Sequence, residues 1–148
     1  MPNQPFYAQG LRFSCVRCSV CCRYESGFVF LSEKDVLVLA KAVQMGYNDF
    51  IETYCRWVPT AFGAARLSLK ETPEYDCIFW KAGCLVYQAR PLQCRAFPFW
   101  KSILASSNAW KSASASCPGM GKGTLFMRDE IESWLHAQTA DPVITKKI

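Results

Sequence analysis

Four of the chain's nine cysteines fall within a few residues of one another, Cys15, Cys18, Cys21 and Cys22, in the stretch FSCVRCSVCC. Cys77 and Cys84 follow, then Cys94 within RPLQCRAFPFW and Cys117 within CPGMGKG, while Cys55 stands alone. Four thiolates complete a closed tetrahedral Zn²⁺ site or the ligand set of a [4Fe–4S] cluster. A Cys-x-x-Cys turn can curl two sulfurs onto one ion. Adjacent residues in an extended chain send their side chains to opposite sides. Cys21 and Cys22 are therefore expected to serve two different centres, or two irons of one larger cluster.

Cys55 reads as a small buried hydrophobe, which leaves eight cysteines, enough for up to two four-thiolate centres. The spacing Cys15-x-x-Cys18-x-x-Cys21 is used in bacterial ferredoxins, where a distant Cys-Pro supplies the fourth ligand. Cys117-Pro118 fits that part, and Cys22, Cys77, Cys84 and Cys94 then form the second set. The same eight could also divide otherwise. A Zn²⁺ or four-iron centre with four thiolates is net negative, so nearby cations should help. Arg17, Arg23, Arg90 and Arg95 all lie close in sequence to a candidate ligand. Arg90 and Arg95 flank Cys94 and are expected to donate toward its centre, as partners behind a ligand commonly do. Both the triple spacing and the Cys-Pro favour an iron–sulfur cluster in at least one site over zinc in both.

Other chemistry has little to work with. The chain has one histidine, His136, which reads as a surface or core residue, so no Ser-His-Asp constellation is available. There is no Gly-x-Gly-x-x-Gly and no phosphate-binding P-loop. Gly119, Gly121 and Gly123 read as a flexible rim, with phosphate binding second. Asp35, Glu74 and Asp76 pair only if the fold happens to join them. No catalytic constellation is recognisable.

Composition bounds the rest. A chain of 148 residues with 51% hydrophobic and 14% aromatic residues is globular. It reads as one domain over 1–148, with a core about 13–138 and flexible termini. The longest apolar runs, Val36 to Ala40 and Cys84 to Tyr87, are too short to span a bilayer. The start, MPNQPFYAQGLRF, has no signal-peptide pattern. A cytoplasmic, reducing setting is expected, in which clustered cysteines bind metal rather than pair as disulfides. The net charge of +5 comes with no dense Lys/Arg block, so a nucleic-acid partner is not expected. A metal ion is the expected partner, with a protein partner second and no membrane.

The expected fold is α+β: a small, mainly helical domain with a short β-hairpin and irregular loops organised around the cysteine-ligated sites. Phe28 to Leu31 suggests a short strand. Ser32-Glu33-Lys34-Asp35 is a capping box opening a helix, with Val36, Leu39, Ala40 and Val43 at helical spacing, ending at Gly46. Asn48 should cap a second helix carrying Ile51, Tyr54, Cys55 and Val58, stopped by Pro59. Leu67-Ser68-Leu69 alternates as a strand does. Cys77–Trp80 and Cys84–Tyr87 suggest a hairpin turning near Gly83. Pro91 suits the first turn of a short helix that Pro98 stops. SSNAWKSASAS, 106–116, reads as a surface loop or loosely formed helix. The last helix runs about Asp129 to Gln138, with Ile131, Trp134, Leu135 and Gln138 inward. Phe97-Pro98-Phe99-Trp100 reads as core before partner surface.

These pieces resemble the bacterial cysteine-cluster family of zinc- or iron-chelating domains (YkgJ-type), over about Phe13 to Leu135. The resemblance rests on Cys15, Cys18, Cys21, Cys22 and Arg23; Cys77, Cys84 and Tyr87; Arg90-Pro91, Cys94-Arg95 and Phe97-Pro98; and Cys117-Pro118-Gly119. Ser19-Val20 stands where the family commonly has a glycine before the paired cysteines. The resemblance implies metal chelation. Related cysteine-cluster domains occur in lysine methylases, which makes a protein-modifying role an alternative, beside an iron–sulfur electron-transfer or sensor role.

Overall fold

The computed structural model describes residues 4–15, 28–60, 62–72, 77–79 and 85–147. In chain order its elements are β1 (Leu11–Phe13), α1 (Glu33–Ala42), α2 (Tyr47–Tyr54), β2 (Cys55–Pro59), β3 (Ala64–Leu69), a 3-10 turn (Tyr87–Ala89), α3 (Leu92–Ala96), α4 (Ser107–Ser114), β4 (Thr124–Phe126), α5 (Arg128–Ala140) and β5 (Thr145–Lys147). The fold is α+β, with two small antiparallel sheets, β1-β4 and β2-β3-β5. The chain divides into two compact units. The first is Met1–Val20 with Ala96–Ala140; the second is Cys21–Arg95 with Asp141–Ile148. Among the described residues no helix is long and apolar enough to cross a membrane.

In the second unit α1 starts as its sequence dictates. Ser32 Oγ accepts from the Asp35 amide at 3.1 Å, and Asp35 Oδ2 accepts from the Ser32 amide at 3.0 Å. Val36, Leu39 and Ala40 face the core. The helix stops at Ala42, short of the expected Gly46. Gln44 takes a positive φ of 58°, and the amides of Gln44 and Met45 return to the carbonyls of Lys41 and Ala40. That closes the helix end in the way a glycine usually does. Gly46 instead caps α2, where Asn48 was expected.

α2 also ends earlier than expected, at Tyr54 and not at Pro59. Residues 55–59 leave the helix to pair with β3, in register from Cys55↔Leu69 to Pro59↔Ala65. Strand pairing wins because Cys55-Arg56-Trp57-Val58 also reads as a half-buried strand. Pro59 sits at the end of an edge strand, where its missing N–H costs no ladder bond. Among the described residues β2 and β3 form a β-hairpin. In the stretch where the sequence suggested one, Cys77 bridges Glu71, Leu85 and Val86 form a turn, and Tyr87 begins the 3-10 turn. Residues 80–84, including Cys84, lie outside the described residues.

Three stretches meet at Leu67. Its carbonyl accepts from the Leu31 amide at 3.0 Å, its amide donates to Ile144 O at 2.9 Å, and the Ile144 amide donates to Leu31 O at 2.9 Å. The expected strand at 28–31 therefore runs beside β3, with Phe30 bridging Ser68. Leu31, Leu39, Phe50, Leu67 and Phe79 fill the core beneath. Each such side chain contributes about 1.5–3 kcal/mol when fully buried.

In the first unit, β1 and β4 pair from Leu11↔Phe126 to Phe13↔Thr124. Residues 107–114 are helical, the second of the two readings of that stretch. Ser106 Oγ caps the helix by accepting from the Ala109 amide at 3.0 Å, and Trp110 is buried, stacked 6.3 Å from Phe99. Phe97 and Trp100 pack on the same core as Phe99, so this aromatic segment is interior. α5 buries Ile131 and packs Trp134 and Leu135 on that core. Gln138 Nε2 donates to Phe99 O at 3.0 Å and to Trp134 O at 2.8 Å.

Candidate metal centre

Cys15 lies two residues past the end of β1. Besides its pairing with β4, Phe13 bridges Met120, and the Ser14 amide donates to Gly119 O at 3.2 Å. This antiparallel contact sets Ser14, the residue before Cys15, against Gly119, two residues after Cys117. Cys117 opens a turn after α4, with its carbonyl accepting from the Met120 amide at 3.2 Å. Cys15 is exposed and Cys117 half-buried.

The glycines of CPGMGKG make this approach possible. A Cβ on Gly119 would overlap the Ser14 carbonyl oxygen, and one on Gly123 would overlap the Ser14 side chain. Ser14 Oγ accepts from the Thr124 amide at 3.0 Å, and Arg12 Nη1 donates to Gly123 O at 2.9 Å. Gly119 and Gly123 are thus walls around the residue before Cys15. The flexible-rim reading fits only Gly121, which has open space around it and φ of +84°.

Cys77 and Cys94 belong to the second unit, and both are half-buried. Cys77 is set by its bridge to Glu71 and by the next residue, whose amide donates to Lys70 O at 3.0 Å. Cys94 lies in the middle of α3, with anchored neighbours. The Leu92 amide donates to Asp35 Oδ1 at 2.9 Å. Gln93 Oε1 accepts from the Phe30 amide at 3.0 Å, and its Nε2 donates to Phe28 O at 2.7 Å. Arg95 Nε donates to Arg90 O at 3.0 Å. Arg90 lies 3.9 Å from the Tyr87 ring centroid and donates through Nε to Tyr87 O at 3.0 Å. Those arginine bonds use only one of the guanidinium's five N–H donors, and both cations stay beside the helix that carries Cys94.

Neither Gln93 nor the second contact of Asp35 was anticipated from sequence. Asp35 looks complete as a capping-box residue, and nothing local in the sequence points to its other oxygen. Gln93 had one signal, its place next to a candidate ligand.

Cys55 behaves as a core residue. It is a buried free thiol on β2. Burial pushes its pKa up to about 12, against a smaller lowering by the Lys70 charge. A thiol held protonated in this way is a poor ligand. His136 is exposed on α5. Of the remaining candidates, Cys18, Cys21, Cys22, Cys84, Arg17, Arg23, Glu74 and Asp76 lie outside the described residues. Among the described residues no group of three or more Cys, His, Asp or Glu side chains converges to hold a metal.

The family model CxxCxxCC, described as "Putative zinc- or iron-chelating domain", matches residues 14–118. The chain belongs to this family. The CxxCxxCC match begins at Ser14, beside Cys15, and ends at Pro118, next to Cys117. It therefore covers every cysteine discussed above. Chelation of zinc or iron by a cysteine cluster is the property that membership assigns. No solved structure matches the chain.

Proposed function

We propose that this chain is a metal-binding protein whose eight clustered cysteines hold up to two centres, at least one of them a [4Fe–4S] cluster. Cys15, Cys18, Cys21 and Cys117 serve one, and Cys22, Cys77, Cys84 and Cys94 the other. The observation that carries this reading is the antiparallel contact of Phe13-Ser14 with Gly119-Met120, which gathers Cys15 and Cys117 from distant stretches. Cys77 and Cys94 share the second unit, which fits their assignment to one centre.

The donor chemistry fits such a group. Ser14 is clamped between Gly119 and Gly123, so the backbone holding Cys15 is set before any ion arrives. α3 is anchored on both sides of Cys94. Zn²⁺ would supply a closed tetrahedral tie, and an iron–sulfur cluster would add a redox couple. The chain's own part is to hold the thiols at fixed spacing and keep Arg90 and Arg95 near the negative charge that four bound thiolates would bring.

Anaerobic purification followed by iron, zinc and sulfide analysis tests this. Brown protein with a broad band near about 400 nm is expected from sulfur-to-iron charge transfer. Cys117→Ser and Cys94→Ser should each remove one centre, and Cys55→Ser none. Structural zinc contributes about 10–16 kcal/mol in small peptides, against about 5–15 kcal/mol for a whole domain. Chelation or acid should therefore loosen or unfold the protein. Ordered protein free of both iron and zinc overturns the proposal, and colourless protein with stoichiometric zinc overturns its iron part.

A further inference from the structure

The sequence has no Lys/Arg block, and for that reason no nucleic-acid partner was expected. Strand pairing in the second unit assembles what the sequence disperses. Strands β2, β3 and β5 carry Arg56, Arg66, Lys146 and Lys147 and no carboxylate. Side chains alternate across a sheet, and the register sorts them. Arg56 pairs with Ser68, Arg66 with both Val58 and Thr145, and Ala64 with Lys147. Arg56, Arg66 and Lys147 therefore share one face. Phe30 bridges Ser68 and joins it, and Phe28 lies beside Phe30 with ring centroids 5.6 Å apart. The Arg56 guanidinium is 5.1 Å from the Phe28 centroid, and that of Arg66 is 5.8 Å from the Phe30 centroid. The other face puts Cys55, Leu67 and Leu69 in the core. This one leaves Phe28, Arg66, Thr145 and Lys147 exposed. A third ring, Phe62, is 96% exposed in the loop between β2 and β3. Glu71 Oε1 offsets one charge, 3.5 Å from Arg56 Nη1.

We propose that this face binds a single-stranded nucleic acid, with phosphates on Arg56, Arg66 and Lys147 and bases on the rings of Phe28, Phe30 and Phe62. A cationic surface set with aromatic rings suits such a strand, because every nucleotide brings a charge and every base a face to stack. Along β3 the surface runs from Ser68 to Ala64, about 14 Å. Phe28 and Phe62 extend it past either end, enough for about four nucleotides. A duplex keeps its bases stacked on one another and would use the cations without the rings. A bilayer that took up Phe28 and Phe30 would draw in the arginines lying over them, which is costly.

Protein purified without oxygen is titrated against a fluorescent single-stranded oligothymidylate, read by anisotropy at several salt concentrations. A dissociation constant of about 1–100 µM is expected, the range of sequence-independent binding. With Arg56, Arg66 and Lys147 each on a phosphate, the log–log salt slope should be about −2, and Arg66→Gln should weaken binding and bring it to about −1.4. Phe62→Ala removes a ring with almost no packing to lose. It should weaken binding about fivefold or more and leave the slope unchanged. Lys111→Gln removes an exposed charge on α4, in the first unit, and should change neither. Absence of binding overturns the proposal, as does a loss in Lys111→Gln equal to that in Arg66→Gln, which would leave net charge as the cause. Equal affinity for inorganic polyphosphate, which has charge and no bases, overturns it too. Binding to phosphatidylserine vesicles without binding to the oligonucleotide also overturns it and marks a membrane surface instead. None of these residues is a proposed metal ligand, so failure here leaves the metal reading standing.

Discussion

Gly119→Ala puts one methyl group where the two cysteine-bearing stretches touch. Gly119 is buried and needs no left-handed backbone, so alanine is conformationally acceptable there. The added Cβ nevertheless would overlap the Ser14 carbonyl oxygen and lie 3.1 Å from its carbonyl carbon. The neighbour is backbone and cannot rotate away, so the strands must part. Overpacking of this kind costs about 1–3 kcal/mol. Loss of the bond from Ser14 N to Gly119 O adds about 0.5–1.5 kcal/mol, giving about 1.5–4.5 kcal/mol together. Under the proposed ligand division, metal binding would draw Cys15 and Cys117 back together and so oppose the same strain. At about 1.4 kcal/mol per tenfold, affinity at that centre should fall about 10- to 1,600-fold. Gly121→Ala is the comparison: it has open space and φ of +84°, so it carries only a backbone cost of about 1–2 kcal/mol, without a clash. Chelator competition and urea unfolding on both variants, purified without oxygen, decide between them. If Gly119→Ala held metal as tightly as Gly121→Ala, the contact would not be what gathers the cysteines.

Two further outcomes follow from the second unit. Cys55→Ala should keep the full metal content and lose about 0.5–3 kcal/mol of stability. Because burial raises the Cys55 pKa from 9.0 to about 12, its contribution is complete below about 9 and is lost as pH rises toward 12. The wild-type advantage over Cys55→Ala in urea unfolding should shrink between about pH 8 and about pH 10.5, and a constant difference contradicts the assignment. Asp35→Ala orphans the buried amides of Ser32 and Leu92. Bonds to a charged acceptor contribute about 1.5–3 kcal/mol each, so a loss of about 3–6 kcal/mol is expected, with Asp35→Asn intermediate. A loss under about 1 kcal/mol in urea unfolding refutes the anchoring role.

What was legible in the sequence was local. The Ser32 capping box, the α3 helix between Pro91 and Pro98, and the inward stripe of α5 each depend on residues within a turn or two of one another. Misreadings occurred where distant partners decided. Residues 55–59 left a plausible helix because β3 offered a complete ladder. Gly46 passed for a helix end because Gln44 took the left-handed position itself. The same division holds at the candidate site. Cysteine spacing marked candidate ligands, but the clamp on Ser14 and the bonds of Gln93 and Asp35 join residues with no pattern between them. Gly119, Gly121 and Gly123 show it most plainly: identical residues in one short run, two of them walls and one an open turn.

The second unit is interrupted by the first. Its sheet is begun at residues 29–31 and 64–69, and its edge is completed only when Ile144 reaches Leu31 and Leu67. Ribosomes emit about 5–20 residues per second, so the thiols of Cys77 and Cys94 emerge some seconds before the stretch that seals their half of the protein. A nascent chain therefore exposes these two thiols before the stretch that completes their sheet has been made.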